Sequence, residues 1–201
     1  MTKQQRMDHL ENEIRQNDIC PDLAAQAKHL VMGDGNLDAD IVFIGEAPGE
    51  AEDIEGLPFI GKSGKLLNKM LGEVGLQRTD VYITNIVKYR PPDNRDPTVK
   101  EKAAFLPYLI EQLEIIDPRV IATLGRHSME YFLPRVTIGD IHGQPQAITL
   151  GEAQNAKEVT LMPLYHPAAA LFNGSLMQTL RDDFAKVPPL VTQQRTLLKR
   201  G

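Results

Sequence analysis

Four short apolar, β-branched runs constrain this chain more than any other feature: DIVFIGEA at 40–47, VYITNIV at 81–87, VIATLG at 120–125 and VTLMPLY at 159–165. Each is short enough for one buried strand. None alternates apolar with polar residues, which is the pattern of strands covered on both faces. Helical patterns separate the first three. KSGKLLNKMLGEVG places Leu66, Leu67, Met70, Leu71 and Val74 at helical spacing and ends on Gly75, a C-cap residue type. DPTVKEKAAFLPYLIEQLEIIDP opens on Asp-Pro-Thr and closes before Asp117-Pro118, with Pro107 expected to kink the helix or to lie in its first turn. RHSMEYFL after Gly125 reads as a short helix. The alternation predicts an α/β fold of three layers, α/β/α, around a central four-stranded parallel sheet. The glycine-rich stretch before the fourth run reads as a hairpin that feeds it.

A chain of 201 residues suits one domain. Residues 1–31 read as a helical segment docked on the sheet, and 190–201 as a loose basic tail beyond a Pro188-Pro189 stop. The charged N-terminus is not a signal peptide, and no apolar run reaches the roughly 18 residues of a membrane span. A single cysteine, Cys20, argues for a reducing compartment, so a cytoplasmic location is expected; it is too few for a metal site. The net charge of −5 does not advertise a nucleic-acid binder, yet residues 60–102 alone carry +4.

In such folds ligands bind at the carboxyl ends of the strands. Four segments gather there: GEAPGEAED, NIVKYRPPDNR, GRHS and HPAA. The first has two glycines around a proline, which lets backbone approach a ligand closely, and four carboxylates, which would repel phosphate. Taken alone it reads equally well as a solvated acidic loop.

Together, GEAPG with the following Glu-Asp and Pro-Phe-x-Gly-x-Ser-Gly, then TNIVKYRPPDNR, then HPAA, resemble the uracil-DNA glycosylase superfamily, and its family 4 type most closely, over about residues 14–188. The resemblance implies hydrolysis of the N-glycosidic bond of uracil in DNA, with the nucleotide flipped into a pocket. Such a reaction builds positive charge on the sugar and negative charge on the departing base. Glu46 is the candidate for positioning the water and stabilising the sugar cation, with Glu52 and Asp53 as alternatives or as organisers of the loop. His166 matches the histidine beside uracil O2. Asn85 matches the uracil-reading amide and Phe59 the stacking aromatic, while backbone around Ala47 and Gly49 should line the pocket. Phosphate contacts are expected from Lys62, Ser63, Lys65, Lys88, Arg90 and Arg95, and a duplex wedge from Leu171 and Phe172. His9, His29, His127 and His142 lie outside the motifs and are given no role.

Two departures matter. Family 4 members usually carry an iron–sulfur cluster on four cysteines. The matching positions here are Asn17, Cys20, Tyr89 and, less securely, Phe105, so no cluster and no other metal is expected. Tyr89 and Phe105 are large enough to fill the vacated volume. A related group that crosslinks to uracil-DNA inserts a basic, histidine-bearing loop after the VK motif; YRPPDNRDP has neither insertion nor histidine, so turnover is expected. The expected partner is uracil-containing DNA, met by a monomer. Two other readings stay open: a catalytically silent module that binds uracil or single-stranded DNA, and a glycosylase for another deaminated base.

Overall fold

A computed structural model describes residues 1–151 and 156–198. Its strands are β1 (Asp34–Gly35), β2 (Ile41–Gly45), β3 (Tyr82–Asn85), β4 (Val120–Leu124), β5 (Gln146–Leu150) and β6 (Lys157–Leu164). The helices are α1 (Lys3–Gln16), α2 (Pro21–Ala24), α3 (Glu50–Glu55), α4 (Lys62–Glu73), α5 (Val99–Ile116), α6 (Arg126–Phe132), α7 (Ile138–Ile141), α8 (Pro167–Ala170), α9 (Gly174–Phe184) and α10 (Val187–Leu198).

The four apolar runs form the parallel centre of the sheet, in the order β3-β2-β4-β6. Two antiparallel edge strands extend it to six: β1 beside β3, and β5 beside β6 as the other arm of the expected hairpin. β1 is two residues long, too short to leave a pattern in the sequence.

Both faces of the sheet are covered, which explains the unbroken apolar strands. In β2, Val42 and Ile44 point into a core shared with α1 and α5, whereas Ile41 and Phe43 point into a core shared with α4, α9 and α10. Phe43 stacks on Phe184 of α9 with ring centroids 5.3 Å apart. Helix α5 starts at Thr98, whose hydroxyl accepts from the Glu101 amide in a capping box. It runs through Pro107 well past its first turn. Ala103 and Pro107 are both exposed, so water can satisfy the carbonyl that the proline leaves unpaired.

The expected loose tail is instead helical. Pro188 and Pro189 fall in the first turn of α10, where a missing N–H leaves no bond unmade, and Val187 and Leu190 are buried against the α4–α9 layer. Residues 199–201 of that expected tail lie outside the described residues.

The N-terminal segment docks as expected, through Met7, Leu10 and Ile14 of α1. Beside it Tyr89 and Phe105 are buried and meet edge to face, with centroids 6.0 Å apart. Asn17 donates to the Tyr108 hydroxyl at 3.2 Å, and Cys20 packs on the same core. Phe105→Ala should therefore lower unfolding free energy by about 3–5 kcal/mol in urea titration, the range for an aromatic removed from a packed core.

Candidate functional site

The four strand ends meet as anticipated. Gly45 of β2 is in register with Asn85 of β3. The ladder continues past both, with Ile86 N–H donating to Gly45 O and Val87 N–H to Glu46 O, each at 3.0 Å. Across the sheet, Gly125 N–H donates to Leu164 O at 2.8 Å, which sets the start of α6 beside His166. A pocket of about 750 Å³ opens over this edge.

Asn85 forms its floor. The side chain is 1% exposed, and neither Oδ1 nor Nδ2 has a hydrogen-bond partner among the described residues. A buried amide without a protein partner is costly, and a ligand edge with a complementary donor and acceptor could satisfy it. The slot beside it depends on Gly45: a Cβ there would lie 2.4 Å from Asn85 Oδ1 and 2.5 Å from the Phe59 ring.

Phe59 is the wall of the slot, and its backbone is held in an unusual place. Its φ is +51°, a left-handed conformation that a bulky residue adopts only under constraint. Three features impose it. Glu52 Oε1 accepts from the amides of Ile60 at 3.0 Å and Gly61 at 2.8 Å. Arg78 donates to the carbonyls of Pro58 and Phe59. Gly64, in the first turn of α4, leaves room for Phe59 O, which any Cβ would strike.

His166 faces Phe59 with ring centroids 5.7 Å apart. Its Nδ1 accepts from the Ala168 amide at 3.1 Å, which leaves Nε2 to carry the proton. Burial lowers its pKa to about 4, so the ring is neutral near pH 7 and still a donor.

Glu46 lies opposite. Its Oε1 is buried without a hydrogen bond among the described residues, and burial raises its pKa above the usual carboxylate range. His127 Nε2 is 3.6 Å from Oε1 and 3.1 Å from Asp96 Oδ2. These three groups place one polar atom each within 4.8 Å of one another. The cation among them is Arg126, which donates to His127 Nε2 at 3.2 Å and to Asp96 at 3.4 Å. Neither His127 nor Asp96 was expected here. The one available signal was position: GRHS directly follows a strand whose end meets the pocket.

Of the other expected residues, Ala47, Gly49, Lys62, Ser63 and Arg95 line the pocket. Arg95 is clamped by Glu101 through two bonds of 2.9 and 2.7 Å. Asp53 is not among the residues that line the pocket; it is buried and accepts from the Lys28 and His29 amides at 2.8 and 3.3 Å. Lys65 is exposed on α4, and Arg90 Nε donates to Asn94 at 2.8 Å, both outside the pocket. Leu171 is half-buried against the core, while Phe172 is 91% exposed.

Lys88 is a correction. It was expected to meet phosphate, but it is fully buried and points into the sheet–α5 interface. Its ammonium spends all three protons inside: on Thr84 Oγ1 at 2.6 Å, Asn85 O at 2.8 Å and Gln112 Oε1 at 2.6 Å.

The arrangement offers an amide with a free donor and a free acceptor, an aromatic wall, a neutral imidazole N–H and a carboxylate. That set can grip a planar, neutral ring edge-on, steady negative charge on it and hold a water nearby. A family model described as the uracil DNA glycosylase superfamily matches residues 32–187. The chain belongs to this superfamily. It is 45% identical to a "Type-4 uracil-DNA glycosylase" of Saccharolobus solfataricus over 90% of this chain and 84% of that one. It is 40% identical to a protein of the same name from Archaeoglobus fulgidus over 96% of this chain and 98% of that one. A namesake from Thermotoga maritima is 38% identical, with the same coverage.

Superfamily members of this type usually hold an iron–sulfur cluster, and the residues at the matching positions here do not fit one. Asn17 is committed to Tyr108, Tyr89 and Phe105 are packed rings, and Cys20 is the chain's single thiol.

The buried lysine gives a pH signature. Burial lowers its pKa from 10.5 to about 7. Between those values the unfolded chain holds a proton that the folded chain has released, so stability rises as pH increases through this window. Lys88→Met should remove that rise, which should be on the order of 5 kcal/mol, as read by urea melts at several pH values.

Proposed function

We propose that this chain is a uracil-DNA glycosylase: it hydrolyses the bond between uracil and deoxyribose in DNA and leaves an abasic site. The observation that carries this reading is the buried amide of Asn85, without a protein partner among the described residues and set in the pocket beside the Phe59 ring, which packs against Gly45. Uracil presents N3–H and O4 on one edge, and an amide can answer both. Phe59 would stack on the base. The neutral His166 Nε2–H would donate to O2 as charge develops there. Glu46 would hold the attacking water at C1′ and face the cationic sugar; Glu52, tied to Ile60 and Gly61, supports the wall instead.

DNA would be held by Lys62, Lys65, Arg90 and Arg95 and by the Ser63 end of α4, around the pocket mouth. Phe172, bare to solvent beyond HPAA, would enter the duplex, with Leu171 anchoring it in the core. In this reading the enzyme is a cytoplasmic monomer and works without an iron–sulfur cluster. Among the described residues no helix is long and apolar enough to cross a membrane.

The test is a gel assay of uracil-, hypoxanthine- and xanthine-containing oligonucleotides, followed by alkali. Uracil should be released with turnover. Glu46→Ala, Asn85→Ala and His166→Ala should each lower kcat/KM by about 100- to 1000-fold. Gly45→Ala should lower it by at least about 100-fold with an unchanged fold, because the added Cβ must push the Asn85 amide and the Phe59 ring out of place. Release of none of the bases would leave a silent binding module, release of another base alone would move the substrate, and cleavage that survives all three alanine variants would overturn the site.

A further inference from the structure

The proposed mechanism leaves one buried group without a partner or a task. His127 Nδ1 is buried and unpaired among the described residues, while Nε2 stands between Glu46 and Asp96. The ring cannot wander. Gly125, with φ +93°, turns the chain sharply out of β4, and a Cβ there would lie 3.0 Å from His166 Cβ. The turn sets His127 at the start of α6, with its side chain only 17% exposed.

Nε2 has two incompatible sets of partners. When it is unprotonated it accepts from Arg126 Nε at 3.2 Å. When it is protonated it can donate toward Asp96 or Glu46, and Arg126 keeps its own contact to Asp96. Imidazoles take up a proton on the acid side of neutrality, where carboxylates also begin to do so. At that point a positive ring beside Glu46 opposes the effect of its burial.

We infer that His127 is a positioning residue for Glu46, whose Oε1 its Nε2 faces at 3.6 Å. This rests on the glycosylase reading above. The charged groups that face Glu46 are His127 and Arg126 from α6, Lys102 from α5 and Asp96 from the loop before it. Of the three basic groups, the imidazole is the one whose charge depends on its protonation. Burial raises the carboxyl's pKa, His127 exerts the largest opposing pull, Asp96 raises it further, and Lys102 and Arg126 lower it. Glu52 faces His166 instead.

The experiment is the pH profile of uracil release under single-turnover and steady-state conditions for wild type, His127→Gln and His127→Lys. The glutamine variant should move the acid limb of kcat upward by on the order of one pH unit. It should then be about tenfold slower than wild type below the limb and converge with it above, with KM unchanged. The lysine variant keeps a positive charge, so its limb should lie at or below that of wild type. A purely structural histidine would lower activity evenly across pH, and would do so in both variants. An unmoved limb in His127→Gln, or the same upward shift in His127→Lys, overturns the inference; if one variant fails to fold, the limb of the other decides. A wild type that releases no uracil overturns the glycosylase reading and this inference together, whereas an active wild type with unmoved variants overturns the inference alone.

Discussion

Parallel pairing between β2 and β3 is the constraint from which the rest of the site follows. Gly45 sits opposite Asn85, and the ladder then carries on for two more bonds beyond the formal strand ends. Those extra bonds fix the backbone of Glu46 relative to Asn85. The carboxylate and the amide therefore stand on a common ladder, placed by backbone geometry rather than by flexible loops. Gly45 contributes by lacking a side chain, since the space a Cβ would take is the space between the amide and the ring.

Beneath this floor lies a buried polar hub. Lys88 joins Thr84, the Asn85 carbonyl and Gln112, and Gln112 in turn donates to Met32 O at 2.9 Å and to the Tyr82 hydroxyl at 3.1 Å. No carboxylate takes part in these bonds. A lone ammonium in such a place is expensive to bury, which is why burial drives its pKa down. What the hub provides is directional: it ties the end of β3 to α5 through bonds of fixed geometry where apolar contacts would permit sliding.

The chain displays some of this plainly and hides the rest. The four central strands are legible because strands covered on both faces lose their alternation, and the pocket edge is legible because motif residues follow those strands. Glu46, Phe59, Asn85 and His166 come together where the motifs put them. Lys88 misleads because a lysine beside an arginine in a strand-end motif looks the same whether it meets a phosphate or a buried carbonyl; only the partner on α5, Gln112, decides. His127 and Asp96 stand on different elements thirty-one residues apart, so no spacing rule links them to Glu46. The tail departs from its expected form for a local reason: a pair of prolines stops a helix from its interior but begins one at its first turn.

In the proposed reading, the left-handed turn at Phe59 bears on how a flipped base would be accepted or refused. Glu52, Arg78 and the bare Cα of Gly64 hold the ring in place. The conformational entropy of placing the ring is lost at folding, so little of it remains to be lost on contact. In the proposed reading, discrimination among flipped bases would then rest on fit against a wall that folding has already placed.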